Sequence, residues 1–177
     1  MPSPGSYCGP RGLKFAHNYL FHNNGDGTFS DVSGVAGIPS LGHGYAMTAM
    51  AADLDNDGWT DIYVACDSTP SYLLRNQRNG TFKDEAFDRD AAVSEDGMEQ
   101  AGMGVAIADI DLDGSLDIFK TYFADDTSIL YKNDGTGNFS DETLSAGFAV
   151  EARYVSWGAG VFDFDNDGWP DILSARK

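Results

Sequence analysis

Apolar positions in this chain come in short runs separated by polar turns, and the runs repeat in kind. Three of them alternate small with larger apolar residues: MTAMAA (47–52), MGVAIA (103–108) and WGAGVF (157–162). Each is followed, after an acidic loop, by a β-type run: DIYVA (61–65), DIFKTYF (117–123) and DILS (171–174). A second motif interleaves with the first: YLFHNNGDGTFSD (19–31), YLLRNQRNGTFKD (72–84) and ILYKNDGTGNFSD (129–141). In each copy an apolar strand meets a turn of Asn and Gly and then a second short strand, which is the pattern of a hairpin. The hairpin anchors Phe29, Phe82 and Phe139 are 53 and 57 residues apart, and the acidic loops begin at Asp53, Asp109 and Asp163, 56 and 54 residues apart. Four short strands in each period of this length predict one β-propeller blade per period. Helix is expected only as a turn or so near residues 32–37 and 142–147.

The expected architecture is all-β: blades of four short antiparallel strands, about three blade equivalents, in an incomplete propeller. The repeat divides the chain into an N-terminal segment, 1–16, and repeats over 17–177. Within these, 17–43 is a partial first blade, 44–99 the second, 100–153 the third and 154–177 a partial fourth. The chain opens on a hairpin and closes on an acidic loop with its strand, whereas closed propellers have at least four blades. It therefore reads as a piece of a longer propeller, or as a chain that covers its open sheet edges by association.

The acidic loops carry the candidate chemistry. Each follows D-x-D-x-D-G-x-x-D, with carboxylates at loop positions 1, 3, 5 and 9, a glycine at 6 for the sharp turn, and a main-chain carbonyl available at 7. The carboxylates are Asp53, Asp55, Asp57 and Asp61; Asp109, Asp111, Asp113 and Asp117; and Asp163, Asp165, Asp167 and Asp171. The position-7 carbonyls belong to Trp59, Ser115 and Trp169. Such charge beside apolar strands calls for a counter-ion, since carboxylates about 5 Å apart repel by roughly 3 kcal/mol per pair at an effective dielectric near 20. All donors are hard oxygens with no His or Cys, which favours Ca²⁺, about three per chain, over Mg²⁺ or Mn²⁺ and disfavours zinc and copper. An EF-hand begins the same way but needs an acid at position 12 and a helix there; this chain has Val64, Lys120 and Ser174. The turn residue Asp26 becomes Asn79 and Thr136 in the other hairpins, so that turn reads as geometric and not as a ligand set.

Composition adds an exclusion. With 42% apolar residues the 177-residue chain has the makings of a globular core, yet its formal charge is −17. Nucleic acid and anionic membrane surfaces are improbable partners for such a chain, because both are held by Lys and Arg. The twelve loop aspartates are 12 of the 28 acidic residues, and three Ca²⁺ would bring −17 to −11. No apolar run is long enough to span a bilayer, and MPSPGSYCGPRGLKF lacks the apolar core of a secretory signal, so an export signal is expected outside this chain. Cys8 and Cys66 are too few for a disulfide framework, and whether they pair stays open.

The acidic loop followed by Asp-Ile and preceded by Gly-rich strands resembles the FG-GAP or VCBS repeats of integrin-α-type propellers, over residues 17–177. YCGPRGL (7–13), NNGDGTFSDVSGVAGI (23–38) and SEDGMEQAGMG (94–104) are similar to the VCBS subset that carries an ASPIC/UnbV domain, the group related to cartilage acidic protein. The resemblance implies a secreted or surface-exposed, calcium-bearing propeller, normally larger than this chain. The Phe-Gly and Gly-Ala-Pro signature is degraded, with Gly158 and Ala159 left of it, and Cys66 stands at a strand end where such repeats commonly place Asn.

No nucleophile elbow, H-E-x-x-H, P-loop or dinucleotide fingerprint occurs, and His17, His22 and His43 are scattered. No pair stands out among Glu85, Glu95, Glu99, Glu142 and Glu151 for glycoside hydrolysis. The expected function is thus a noncatalytic calcium-binding repeat segment, serving as an extracellular, cell-surface or periplasmic scaffold or adhesion module. The alternative is a carbohydrate-binding lectin or the propeller part of a polysaccharide-active enzyme. The partner is an unidentified protein or glycan. Trp59 and Trp169 suit either packing between blades, the commoner fate, or sugar stacking. The sequons at Asn79 and Asn138 fall on hairpin turns.

Overall fold

The computed structural model describes residues 9–124, 126–148 and 153–176. Among the described residues twelve strands run in chain order: β1 (Phe21–Asn23), β2 (Phe29–Asp31), β3 (Ala46–Ala52), β4 (Asp61–Cys66), β5 (Tyr72–Asn76), β6 (Phe82–Asp84), β7 (Gly102–Ala108), β8 (Asp117–Tyr122), β9 (Ile129–Asn133), β10 (Phe139–Asp141), β11 (Ser156–Phe162) and β12 (Asp171–Arg176). One turn of helix, α1 (Ser33–Ala36), and a 3₁₀ turn, Ile38–Ser40, follow the first hairpin. Residues 143–147 form turns, with Ala146 N–H donating to Glu142 O.

Two complete four-stranded sheets, β3-β4-β5-β6 and β7-β8-β9-β10, are flanked by two two-stranded sheets, β1-β2 and β11-β12. All pairings within them are antiparallel. The fold is all-β and has the form of propeller blades that do not close, as the 55-residue period led one to expect. Cys8, whose pairing the sequence leaves open, lies outside the described residues; Cys66 is a buried thiol whose Sγ faces Val64 O at 3.9 Å.

Small residues on the inner strands let the blades stack. β7 packs against both β3 and β11, and a Cβ at Gly104 would stand 2.6 Å from Trp157 O, so only glycine permits that approach. Each inner strand carries an irregularity at the same place, at Ala46/Thr48, Gly102/Val105 and Ser156/Gly158. The principal core lies between the two complete blades and joins Leu54, Tyr63, Leu73, Val105, Ile118, Tyr131 and Phe139, among others. A second core, with Ala36, Ile38, Leu41, Val64, Tyr72 and Leu74, seats the helical turn on the opposite face of the first complete blade. Stacking on both sides explains why β8 is buried throughout, while β12 is at most half-buried.

Candidate metal centre

Every acidic loop joins an inner strand to the strand beside it: β3 to β4, β7 to β8 and β11 to β12. We number them cages 1, 2 and 3. Three kinds of internal hydrogen bond recur in all of them, and cage 3 adds one from Asp167 N–H to Asp165 Oδ1 at 3.2 Å. The position-1 carboxylate accepts the N–H groups of positions 5 and 6: Asp53 from Asp57 and Gly58, Asp109 from Asp113 and Gly114, Asp163 from Asp167 and Gly168, all within 2.8–3.1 Å. The position-5 carboxylate accepts from position 7, so Trp59, Ser115 and Trp169 each donate their N–H at 2.8 Å. The position-9 carboxylate accepts from position 2: Asp61 from Leu54, Asp117 from Ile110, Asp171 from Phe164. Position 4 is left-handed in all three, at Asn56, Leu112 and Asn166, as is the glycine at position 6. Nine residues thus wind into one small ring, because each main-chain turn is held by an aspartate side chain.

The oxygens that converge are not the same set in each cage. In cage 1, one oxygen from each of Asp53, Asp55 and Asp57 lies within 4.8 Å of the others; in cages 2 and 3 the sets are Asp109, Asp111 and Asp117, and Asp163, Asp165 and Asp171. Asp61 is fully buried, and its carboxylate is taken up by Arg75 Nε (3.1 Å), Asn76 N (2.8 Å) and Leu54 N (3.3 Å). Burial raises the pKa of Asp61, against the pull of the Asn76 N–H and Arg75; burial likewise raises Asp117, against the N–H groups of Asn133 and Ile110. Each buried carboxylate therefore gains from a positive neighbour. The donor sets are all oxygen, at the mutual spacing a hard divalent cation needs, and buried Asp55 Oδ1 has no hydrogen-bond partner among the described residues. These residues fit such an ion.

The sequence reading missed the hairpins' share in the cages. Antiparallel pairing of β4 with β5 places Arg75 beside Asp61, and its Nη2 contacts Asp55 and, at 3.7 Å, Asp57. Burial opposes the charge on Arg75, and Asp55 and Asp61 raise its pKa. Arg78 Nη2 pairs with Asp57 at 2.7 Å, which lowers the Asp57 pKa. In the next blade Lys132 contacts Asp111 and, at 3.2 Å, Asp113. The residues that follow the two cations also matter. Asn76 Nδ2 donates to Thr60 O, while Asn133 donates to Leu116 O in its own cage and to Leu54 O in the neighbouring one, at 2.9 and 2.7 Å. The signal was present as a basic residue followed by Asn at the end of the first hairpin strand: His22-Asn23, Arg75-Asn76 and Lys132-Asn133.

The hairpin turns are geometric. Asp26 and Asn79 each accept from a following threonine N–H and hydroxyl, at Thr28 and Thr81. In the third hairpin Asp134 takes over this role with Thr136, and hydrogen bonds from Asn138 and Thr136 hold its pKa far below the usual range. Trp59 and Trp169, each directly after its cage glycine, leave 46% and 57% of their surface exposed among the described residues. No helix among the described residues is long and apolar enough to cross a membrane.

Residues 14–64, 53–120 and 121–174 match the FG-GAP-like repeat family. The chain is 32% identical over 162 residues to cartilage acidic protein 1 of Homo sapiens, 31% over 166 residues to that of Xenopus tropicalis and 30% over 162 residues to that of Mus musculus. Each alignment covers 88% of this chain and 24% of the relative, so the chain spans about a quarter of the length of the curated relatives it matches.

Proposed function

We propose a function from one premise: this chain belongs to the FG-GAP-like repeat family. It is a calcium-binding propeller segment whose metal is structural, and the propeller serves outside the cytoplasm as a noncatalytic scaffold or adhesion module. The observation that carries this reading is the threefold recurrence of one loop with the same hydrogen bonds and oxygens gathered within 4.8 Å. The cages would hold Ca²⁺ through the twelve loop aspartates and the carbonyls of Trp59, Ser115 and Trp169. Bound, the ion supplies charge neutralisation where two adjoining strands leave the inner ring. The relatives' name, which places an acidic protein in cartilage, supports an extracellular setting, and the partner proposed there is a protein or glycan.

At free calcium about 100 times the dissociation constant, occupancy stabilises the fold by about 2.7 kcal/mol per site. Calorimetry on the metal-stripped chain should find about three Ca²⁺ bound, EGTA should lower the melting temperature, and Asp55→Ala, Asp111→Ala or Asp165→Ala should each lower it in calcium. Melting that is identical with and without chelator refutes the reading. The exposed rings of Trp59 and Trp169 favour a second reading, a carbohydrate-binding face. A glycan array on the full-length protein and a lyase assay separate it from the first.

A further inference from the structure

We propose that Arg75 is a resident counter-ion of cage 1 that competes with the metal, so that cage 1 binds more weakly than cage 2 and fills after it. This rests on the metal reading above. Cages 1 and 2, each followed by a hairpin, share one backbone course and the same internal hydrogen bonds, so on their own these two loops should bind alike. What distinguishes them is the charge that the next hairpin delivers. Cage 1 receives two arginines against its four aspartates, whereas cage 2 receives one lysine.

The kind of cation matters as much as the number. The Lys132 side chain is 37% exposed and can swing into water, where its compact ammonium is well hydrated. Arg75 is 8% exposed and spreads a weakly hydrated fork over Asp55, Asp57 and Asp61. The neighbouring blade closes over it: Asn56 Nδ2 donates to Gly135 O at 3.3 Å, and a Cβ at Gly137 would stand 2.9 Å from Arg75 Nη1. To clear cage 1 the guanidinium must shift inside the protein or the 133–138 turn must lift. The pairing is nonetheless incomplete, since Arg75 Nη1 and Asp55 Oδ1 are buried without hydrogen-bond partners among the described residues. A divalent ion therefore still has an oxygen to win there.

Arg78 points to the same conclusion independently. It occupies a left-handed backbone position, φ 61°, where the other two hairpins have Gly25 and Gly135. A β-carbon is disfavoured there, and what the arginine gains is Asp57, at 2.7 and 3.1 Å.

The test is a calorimetric titration of Ca²⁺ into the metal-stripped chain, with sites assigned by Asp53→Asn, Asp109→Asn and Asp163→Asn. Against the site lost in Asp109→Asn, we expect the one lost in Asp53→Asn to be at least tenfold weaker. Arg75→Gln should tighten that site at least tenfold. Arg78→Gln, at an exposed position that spares the core, should tighten it by a smaller factor and serves if Arg75→Gln does not fold. Equal affinities at these two sites in the wild type, or a weaker site that maps to Asp109, overturn the inference and leave the metal reading standing. No calcium bound by any cage overturns both.

Discussion

Lys120→Met should stabilise this protein and remove most of its pH dependence between pH 7 and 10. Lys120 on β8 is 2% exposed, with Nζ 5.1 Å from the Tyr122 ring centroid, 5.2 Å from Tyr131 and 5.9 Å from Tyr63, and a 3.1 Å bond to Ser71 Oγ. Burial lowers its pKa from 10.5 to about 7, against the opposite pull of Cys66, Asp126 and Asp141. Burial also raises Tyr63, Tyr122, Tyr131 and Cys66, the last to about 12, so these neighbours stay neutral in this range. Between pH 7 and 10.5 the unfolded chain holds the lysine proton and the folded chain does not, so stability rises with pH; below pH 7 both hold it and the cost of burial is fully present. At about 1.4 kcal/mol per pH unit that cost approaches ~5 kcal/mol. The Ser71 bond returns about 1 kcal/mol and the ring contacts about 1–2 kcal/mol, leaving a net penalty of roughly 2 kcal/mol at pH 7. Methionine keeps the unbranched shape without the charge. Urea unfolding of both proteins in excess calcium from pH 6.5 to 10 should show the variant ahead by that margin at pH 7, with the gap narrowing as pH rises. A variant that is less stable at pH 7, or a gap independent of pH, refutes the argument.

Three further outcomes are expected. Asn133→Ala removes a 1% exposed amide that donates to Leu54 O and Leu116 O and accepts from the N–H groups of Gly135 and Gly137; stability should fall by about 3 kcal/mol in urea unfolding, and a loss below about 1 kcal/mol would contradict the clamp. Leu112→Asn places at a φ of 60° the residue found at the same position in the other two cages, and should raise stability by about 0.5–1 kcal/mol in a thermal melt. Gly104→Ala puts a methyl 2.6 Å from Trp157 O and should loosen β11 and β12, seen as faster proteolysis within 156–176; unchanged cleavage would show that the blades have slack.

The sequence by itself determined everything that nine or a dozen neighbouring residues decide. The cage spacing, the glycine at position 6 and the Asn-Gly turns are local chemistry, so the loops, the hairpins and the four-stranded blades could be read directly from YLLRNQRNGTFKD and DLDNDGWTDIYVA. A strand and not a helix follows each cage, at Asp61, Asp117 and Asp171, as position 12 indicated.

Only the tertiary structure decided what each aspartate faces. Arg75 reaches Asp55 through the β4–β5 register, and Asn133 reaches Leu54 through blade stacking, from 20 and 79 residues away. A repeat pattern announces that such residues recur but not which way they point. That is why loops alike in sequence meet two arginines at cage 1 and a lysine at cage 2, and why Lys120, which in the motif is merely a non-acid at position 12, lies among three tyrosines. A loop's shape is stored in its own hydrogen bonds, whereas its electrostatic surroundings come from strands that meet only once the sheets have stacked.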